Sequence, residues 1–245
     1  METIELGHGD RVVLVHGDVF DAEATWSAQG TLAADHRLVL VNRRGFGRSP
    51  DVDGEDFALD ADDVATILGP GAHPVGNSYG GVVALLTAAA HPELVRSLAV
   101  FEPPAFGLVP ERSDVRQFRR TVEELVASRP TPEEFLRQFV IAVGGDPGRL
   151  PTPLRPALVK AASVQMHGRF PWEAQMPLDV LAHTPFPKLV VSGDHSKMFD
   201  AVCDVLKLRL RARREVLSGA GHSIPLLGEP VNDALTALWR ESIRS

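Results

Sequence analysis

A serine flanked by glycines stands between a predicted strand and a predicted helix. Residues 76–80 read Gly-Asn-Ser-Tyr-Gly; they follow an apolar run that ends at Val75 and precede a stretch rich in Ala, Val and Leu over residues 82–90. Glycines let the backbone of such a tight turn pack closely, and the strained turn projects the serine hydroxyl above the edge of the sheet. We therefore predict that Ser78 is a nucleophile and that the next amide, of Tyr79, faces a developing oxyanion.

This chemistry requires a histidine, because a serine hydroxyl is a weak nucleophile until an imidazole accepts its proton. The chain has nine histidines. His222 lies in a loop, Gly-Ala-Gly-His over residues 219–222, that follows the last predicted strand late in the chain. We predict that His222 is the general base.

Four motifs, taken in order, resemble the α/β-hydrolase superfamily across nearly the full length of the chain. They are His-Gly at 16–17, Asn-Arg-Arg-Gly-Phe-Gly-Arg-Ser at 42–49, Gly-Asn-Ser-Tyr-Gly-Gly at 76–81 and Gly-Ala-Gly-His at 219–222. The resemblance implies the chain order nucleophile, acid, histidine. Asn42 departs from the Asp usual at the start of the second motif, a departure that we interpret as structural. Only residues 3–6 remain to supply a strand before Arg11.

The resemblance also implies a second oxyanion donor in the loop after the first buried strand. We expect the backbone amides of Asp18 and Tyr79 to be the donors, with Val19 as the alternative to Asp18. Two amides aimed at a developing negative charge stabilise the transition state. The Asp18 carboxylate would oppose an oxyanion, so its side chain should point away or take part in substrate handling. We expect His16 to brace this loop.

The predicted acid has two candidates. In most of the superfamily it follows the strand that lies here at residues 189–192, at the position of Ser196, and Asp194 lies two residues earlier. Glu102 instead follows the strand after the nucleophile helix, where this chain resembles the zearalenone lactonases and certain haloalkane dehalogenases. Pro103 should restrict Glu102 to extended geometry and hold its carboxylate rigidly at the sheet edge. We predict Glu102, with Asp194 as the alternative.

A parallel sheet must carry these side chains. Continuously apolar runs predict strands at residues 11–15, 36–41, 97–101 and 187–192, and helical patterns at residues 22–34 and 82–90 separate the early ones. Continuous apolar strands separated by helices are typical of a parallel sheet covered on both faces. We predict an α/β fold with a mostly parallel, doubly wound sheet.

The alternation of strands and helices breaks after Pro104. Between residues 105 and 184 no strand pattern is present, and helices are predicted at residues 113–128, 132–143 and 154–167. A helix at 200–210, a strand at 214–217 and a last helix at 231–243 then complete the chain. We predict an α/β-hydrolase core of residues 1–104 and 185–245 with an inserted helical cap of residues 105–184.

Apolar side chains near the predicted site are candidates for a substrate pocket. Met166, Phe170 and Trp172 cluster in a proline-containing stretch that should return over the site. They line the pocket or form the core of the cap, and both readings stay open; the zearalenone lactonases similarly present a cap tryptophan to their substrate. Phe20 is a further candidate because it borders the oxyanion loop.

These residues predict a serine hydrolase that cleaves a carboxylic ester or lactone through an acyl-enzyme. A serine at position 78 argues against dehalogenase or epoxide hydrolase chemistry, in which the nucleophile is an aspartate. Hydrolysis of a C–C bond or perhydrolase chemistry with the same residues is one alternative. A protein that binds a ligand with little turnover is another.

The expected partner is a small ester or lactone of apolar character, and composition argues against some other classes of partner. A net charge of −7 argues against affinity for nucleic acid. No apolar run approaches the roughly 20 residues that span a bilayer. The first residues lack the pattern of a signal peptide, so a cytoplasmic location is expected. No His or Cys pair has metal-ligand spacing, so we predict neither a metal nor a cofactor. Whether the chain forms a homodimer stays open.

Overall fold

The computed structural model describes residues 1–242 of the chain, and Ile243, the predicted end of the last helix, lies outside them. Within this range seven strands form one sheet in the order β1-β3-β2-β4-β5-β6-β7. The strands are β1 (Glu2–Leu6), β2 (Asp10–Val15), β3 (His36–Asn42), β4 (Ala72–Asn77), β5 (Leu98–Phe101), β6 (Lys188–Ser192) and β7 (Arg213–Val216). Strand β1 is antiparallel to β3, and the other neighbouring pairs are parallel. The prediction of a mostly parallel α/β sheet is confirmed.

Helices connect the strands. They are α1 (Ala22–Thr25), α2 (Phe57–Ala65), α3 (Tyr79–Ala90), α4 (Ser113–Ala127), α5 (Pro132–Ala142), α6 (Pro156–Met166), α7 (Leu178–Ala182), α8 (Lys197–Leu210) and α9 (Glu229–Ser242). The single helix predicted at residues 22–34 is wrong. A short α1, capped by the Asp21 carboxylate, gives way to a 3₁₀ segment at Ser27–Ala34. That segment contains Gly30, a poor helix former.

Helix α2 has no counterpart among the predicted elements. It begins after Asp56, whose carboxylate accepts hydrogen bonds from the Ala58 and Leu59 amides, a typical N-cap. Its acidic residues obscure the apolar pattern in the sequence. One of them, Asp60, is buried and faces the interior. The buried guanidinium of Arg43 lies 2.8 Å from the Asp60 carboxylate.

Alternating residues of the central strands pack on opposite faces of the sheet. Val13 and Val15 belong to the hydrophobic cluster that includes α3 and α8, whereas Val12 and Leu14 belong to the cluster that includes α9. All four side chains are fully buried. Such two-sided burial explains the continuous apolar runs and is the geometry of a doubly wound sheet.

Residues 105–184 lie between β5 and β6 in the chain and, as described, contain helices α4 to α7 and no strand. Part of this helical segment has its own hydrophobic cluster, formed by Phe135, Leu136, Leu150, Leu154, Leu158 and Ala162. Among the described residues, no helix combines the length and apolarity needed to cross a bilayer.

The carboxyl ends of the parallel strands meet at one edge of the sheet. The loops after β2, β4, β5, β6 and β7 therefore converge there, which is where open α/β sheets bind ligands. These loops carry Asp18, Ser78, Glu102, Asp194 and His222, the residues that the sequence singles out.

Candidate active site

Ser78 lies in a strained turn between β4 and α3. Its backbone has φ 53° and ψ −124°. Residues other than glycine rarely adopt this conformation, which typically costs about 1–3 kcal/mol. The flanking glycines are required by close packing: a Cβ on Gly76 would lie 2.1 Å from the Gly80 carbonyl oxygen, and one on Gly80 would lie 2.3 Å from that of Val15. The local sequence therefore fixes the direction of the serine side chain.

Ser78, His222 and Glu102 form a chain of hydrogen bonds. Ser78 Oγ lies 2.9 Å from His222 Nε2, and His222 Nδ1 lies 2.7 Å from Glu102 Oε2. An ionised carboxylate only accepts hydrogen bonds, so Nδ1 carries the proton and Nε2 is free to accept from the serine. The Phe199 ring stacks on the His222 ring with centroids 4.5 Å apart, which holds the imidazole in place. The three predicted residues therefore come together.

Glu102 is fully buried, and its backbone differs from the predicted one. Its φ is 42°, so the expectation that Pro103 would hold it extended is wrong. The Glu102 amide donates to the Val191 carbonyl of β6, 3.0 Å away, and the Gly193 amide donates to Glu102 Oε1 over 2.8 Å. We attribute the left-handed backbone to these bonds, which turn the residue towards β6 against the local preference.

The carboxyl of Glu102 is held in its ionised form. Burial would raise its pKa, but hydrogen bonds from His195 and His222 outweigh burial and lower the pKa to about 2. The group is therefore a carboxylate over the pH range in which proteins work, as a partner for a developing imidazolium must be.

Asp194, the alternative acid, lies away from His222. It is exposed, with a φ of 57°, and its carboxylate accepts a hydrogen bond from Ser218 Oγ over 2.9 Å. The next residue, His195, instead reaches the site: its Nε2 lies 2.8 Å from Glu102 Oε2. Sequence reasoning missed His195. The signal that could have found it is the adjacency of β5 and β6 in a parallel sheet, which places residues following the two strands side by side.

A model of the alpha/beta hydrolase family matches residues 12–234 of this chain, the same range that contains the sheet edge and the hydrogen-bonded chain. The chain belongs to the alpha/beta hydrolase family. The superfamily resemblance is thereby confirmed.

Individual curated relatives of this alpha/beta hydrolase match only about half of its chain, at about one third identity. The pimeloyl-[acyl-carrier protein] methyl ester esterase of Aeromonas salmonicida is 33% identical over 150 residues, which cover 55% of this chain and 59% of that protein. The chain thus spans less than two thirds of the length of such curated relatives.

Solved structures share the fold over almost the whole chain. An esterase from Thermogutta terrifontis has a TM-score of 0.74 at 22% identity, with 98% of this chain and 93% of that chain covered. Est816, an N-acyl homoserine lactone degrading enzyme, has a TM-score of 0.66 at 22% identity, with 96% and 95% covered. At these identities the likeness concerns the fold alone.

Beside the serine of this hydrolase, Asp18 belongs to a buried cluster of charges around Arg43. The guanidinium lies 3.2 Å from Asp18, 3.2 Å from Glu55 and 2.8 Å from Asp60, and its side chain is fully buried. Burial raises the pKa of Asp18 to about 6, although Arg43 opposes the shift, and burial also raises the pKa of Glu55. The Asp18 side chain is thus engaged by Arg43.

His16 braces the same loop. Its Nδ1 donates to the Gly17 carbonyl oxygen over 2.7 Å, and its Nε2 accepts from the Arg43 amide over 3.1 Å. Burial lowers the pKa of His16 well below its usual value, so the ring is neutral and can accept at one nitrogen while donating at the other.

A cleft with mostly apolar walls reaches Ser78 and His222. Phe170 and Trp172 line it, with their rings stacked at 4.6 Å, and they also pack against the main hydrophobic cluster, so both of the readings left open apply to them. Sequence reasoning did not single out the other apolar wall residues, Phe118, Val122, Phe135, Phe139, Val143 and Phe199. Phe20 lines an adjoining groove that also reaches the serine. Met166 is not among the residues that line the cleft or the groove, and it packs against the hydrophobic cluster of the helical segment, which corresponds to the second of the two readings.

Within residues 1–242, the ligand atoms of Glu102, His195 and His222 all lie within 4.8 Å of one another, close enough to hold a metal ion. Their spacing in the chain gives no sign of this, because they follow three different strands. In the structure both imidazoles hydrogen bond to the same carboxylate oxygen. Through these bonds the Glu102 carboxylate can orient His222 as a base.

Proposed function

We propose that this alpha/beta hydrolase cleaves a carboxylic ester or lactone through an acyl-enzyme on Ser78. The observation that carries the proposal is the hydrogen-bonded chain from Ser78 through His222 to Glu102, which begins at a strained serine and ends at a buried carboxylate. A serine, a base within hydrogen-bond reach and a third group that orients the base together constitute an activated nucleophile.

In the proposed reaction, Ser78 Oγ attacks the carbonyl carbon while its proton moves to His222 Nε2. Glu102 stabilises the imidazolium that forms. The tetrahedral intermediate then expels the alkoxide, which takes the proton from His222 and leaves as an alcohol. In the case of a lactone, the alcohol group stays attached to the acyl chain. Water attacks the acyl-enzyme by the same route and releases the acid with Ser78 restored.

We assign the oxyanion hole to the backbone amides of Asp18 and Tyr79, with Val19 as the alternative to Asp18. Tyr79 is the first residue of α3 and Asp18 follows β2, so both lie at the sheet edge beside the serine. The Asp18 carboxyl would oppose an oxyanion if ionised and free. Its ion pair with Arg43 and its raised pKa both reduce that repulsion.

We expect a substrate with an apolar acyl or alcohol part, bound at the cleft and the wider groove that adjoins it. Aromatic and aliphatic walls beside Ser78 favour such a group through burial of apolar surface. We propose that residues 105–184 act as a cap, because wall residues such as Phe135 and Trp172 come from that segment. A curated relative is named for a methyl ester, and the bond between its acyl carbon and oxygen is of the type that this mechanism breaks.

A substrate screen tests the proposal. Short alkyl esters, aromatic esters and macrocyclic lactones are incubated with the protein, and the acid and alcohol products are identified, with Ser78→Ala as the blank. We expect hydrolysis of at least one apolar class and only background hydrolysis by the variant. Hydrolysis that persists unchanged in Ser78→Ala would contradict the proposal, and C–C cleavage or peracid products would favour the alternative chemistry.

A further inference from the structure

We infer that His195 is a positioning residue of the proposed triad, one that holds the Glu102 carboxylate in place for His222 through an Nε2–H hydrogen bond. The inference rests on the proposed function. It concerns a residue that follows β6, in the loop where the superfamily resemblance leads one to expect the acid itself. In this chain that loop presents a histidine to an acid carried by the neighbouring strand.

The contacts of Glu102 show how the carboxylate is held. Oε2 accepts from His222 Nδ1 over 2.7 Å and from His195 Nε2 over 2.8 Å, while Oε1 accepts from the Gly193 amide over 2.8 Å. A rotation of the carboxylate that weakens one bond at Oε2 therefore disturbs both. Two of the three donors come from the same loop, so this loop determines the orientation of the group.

A glutamate needs this restraint more than an aspartate would. Its side chain has one additional rotatable bond, and it must reach from the end of β5 to a histidine in the loop after β7. A carboxylate that moves away from His222 no longer orients the imidazole or stabilises the imidazolium. A fixed donor on the far side of Oε2 lowers the population of such conformations.

The surroundings of His195 allow it little movement. Its side chain is 15% exposed, and a Cβ on Gly144 in the helical segment would lie 3.1 Å from its Nδ1. The hydrogen bond to Glu102 raises the pKa of His195, against the effect of partial burial. The imidazolium and the neutral Nε2–H tautomer both donate at Nε2, so the contact does not depend on the charge of the ring.

The test compares His195→Phe with His195→Gln. Phenylalanine keeps a ring without a donor, whereas glutamine carries an Nε2–H group separated from Cα by the same number of bonds as in histidine. We expect His195→Phe to lower kcat by about 10- to 100-fold at unchanged KM, a loss of the size seen when the outer partners that orient metal-binding side chains are removed. His195→Gln should recover most of that loss. His183→Phe, which replaces an exposed histidine whose ring bonds to the Asp179 carbonyl oxygen of the preceding helix, is the matched control.

A second measurement needs no substrate. The far-downfield proton resonance of His222 Nδ1–H, assigned by its loss in His222→Ala, should shift or broaden in His195→Phe and return in His195→Gln. An unchanged kcat and resonance in His195→Phe would overturn the inference, as would a glutamine variant as impaired as the phenylalanine one. If the wild-type protein hydrolyses no ester, the proposed function fails while the resonance still decides the role of His195.

Discussion

We expect Glu102→Gln to lower kcat by about 10,000-fold, the loss typical when the triad carboxylate becomes an amide. The amide side chain carries no charge to stabilise the imidazolium of His222. Its NH₂ group would also face donors, because His195, His222 and the Gly193 amide all donate to the present carboxylate. The His222 ring would then take up the wrong tautomer or turn away. Steady-state kinetics on the best substrate of the screen measure the effect, and circular dichroism checks the fold.

Asp194→Asn is the matched control for this substitution. Asp194 is exposed and bonded to Ser218 rather than to His222, so its amide variant should retain near-native turnover. The reverse result, near-native turnover for Glu102→Gln and a loss of several orders of magnitude for Asp194→Asn, would show that the acid has been assigned to the wrong residue.

The largest effect on stability is expected for Arg43→Met. The substitution leaves Asp18, Glu55 and Asp60 buried without their cation, and removal of one partner from a buried ion pair typically destabilises by about 3–5 kcal/mol. The Arg43 guanidinium also lies over the Tyr79 ring, 4.1 Å from its centroid, so packing next to the serine is lost as well. Urea unfolding measures the free energy of unfolding of both proteins.

Arg44→Met provides the comparison for Arg43→Met. Arg44 pairs with Asp63 where both side chains remain partly open to water, and ion pairs that water screens typically contribute about 1 kcal/mol or less. The loss of unfolding free energy in Arg43→Met should also be smaller in mildly acidic than in alkaline buffer. Without Arg43 the buried carboxyls favour their protonated form, and the pKa of Asp18 is already about 6 in the unchanged protein. Equal losses for the two arginine variants would contradict this account of the cluster.

Much of the site can be predicted because it depends on local sequence and chain order. Ser78 requires the close-packed glycines of its turn, and His222 follows the last strand. The position of Glu102 after β5 is sufficient to bring it to the sheet edge. Its backbone conformation could not be predicted, since the effect of Pro103 is a local preference and hydrogen bonds to β6 override it.

Residues that depend on tertiary packing were not predicted. Arg43 lies in a motif visible in the sequence, yet nothing in that motif shows that its charge is buried among three carboxylates. His195 acts across two neighbouring strands, and its partner lies 93 residues away in the chain. Met166 and Trp172 look equivalent in sequence, and only the folded chain shows that Trp172 lines the cleft whereas Met166 does not.

Covalent labelling tests the central claim, an activated Ser78, most directly. A fluorophosphonate probe reacts with a serine whose proton is taken by a neighbouring base, and it requires no knowledge of the substrate. We predict one adduct per chain, mapped to Ser78 by mass spectrometry, absent in Ser78→Ala and formed far more slowly in His222→Ala. Folded wild-type protein that takes up no probe would contradict the account and would favour a protein that binds a ligand without turning it over.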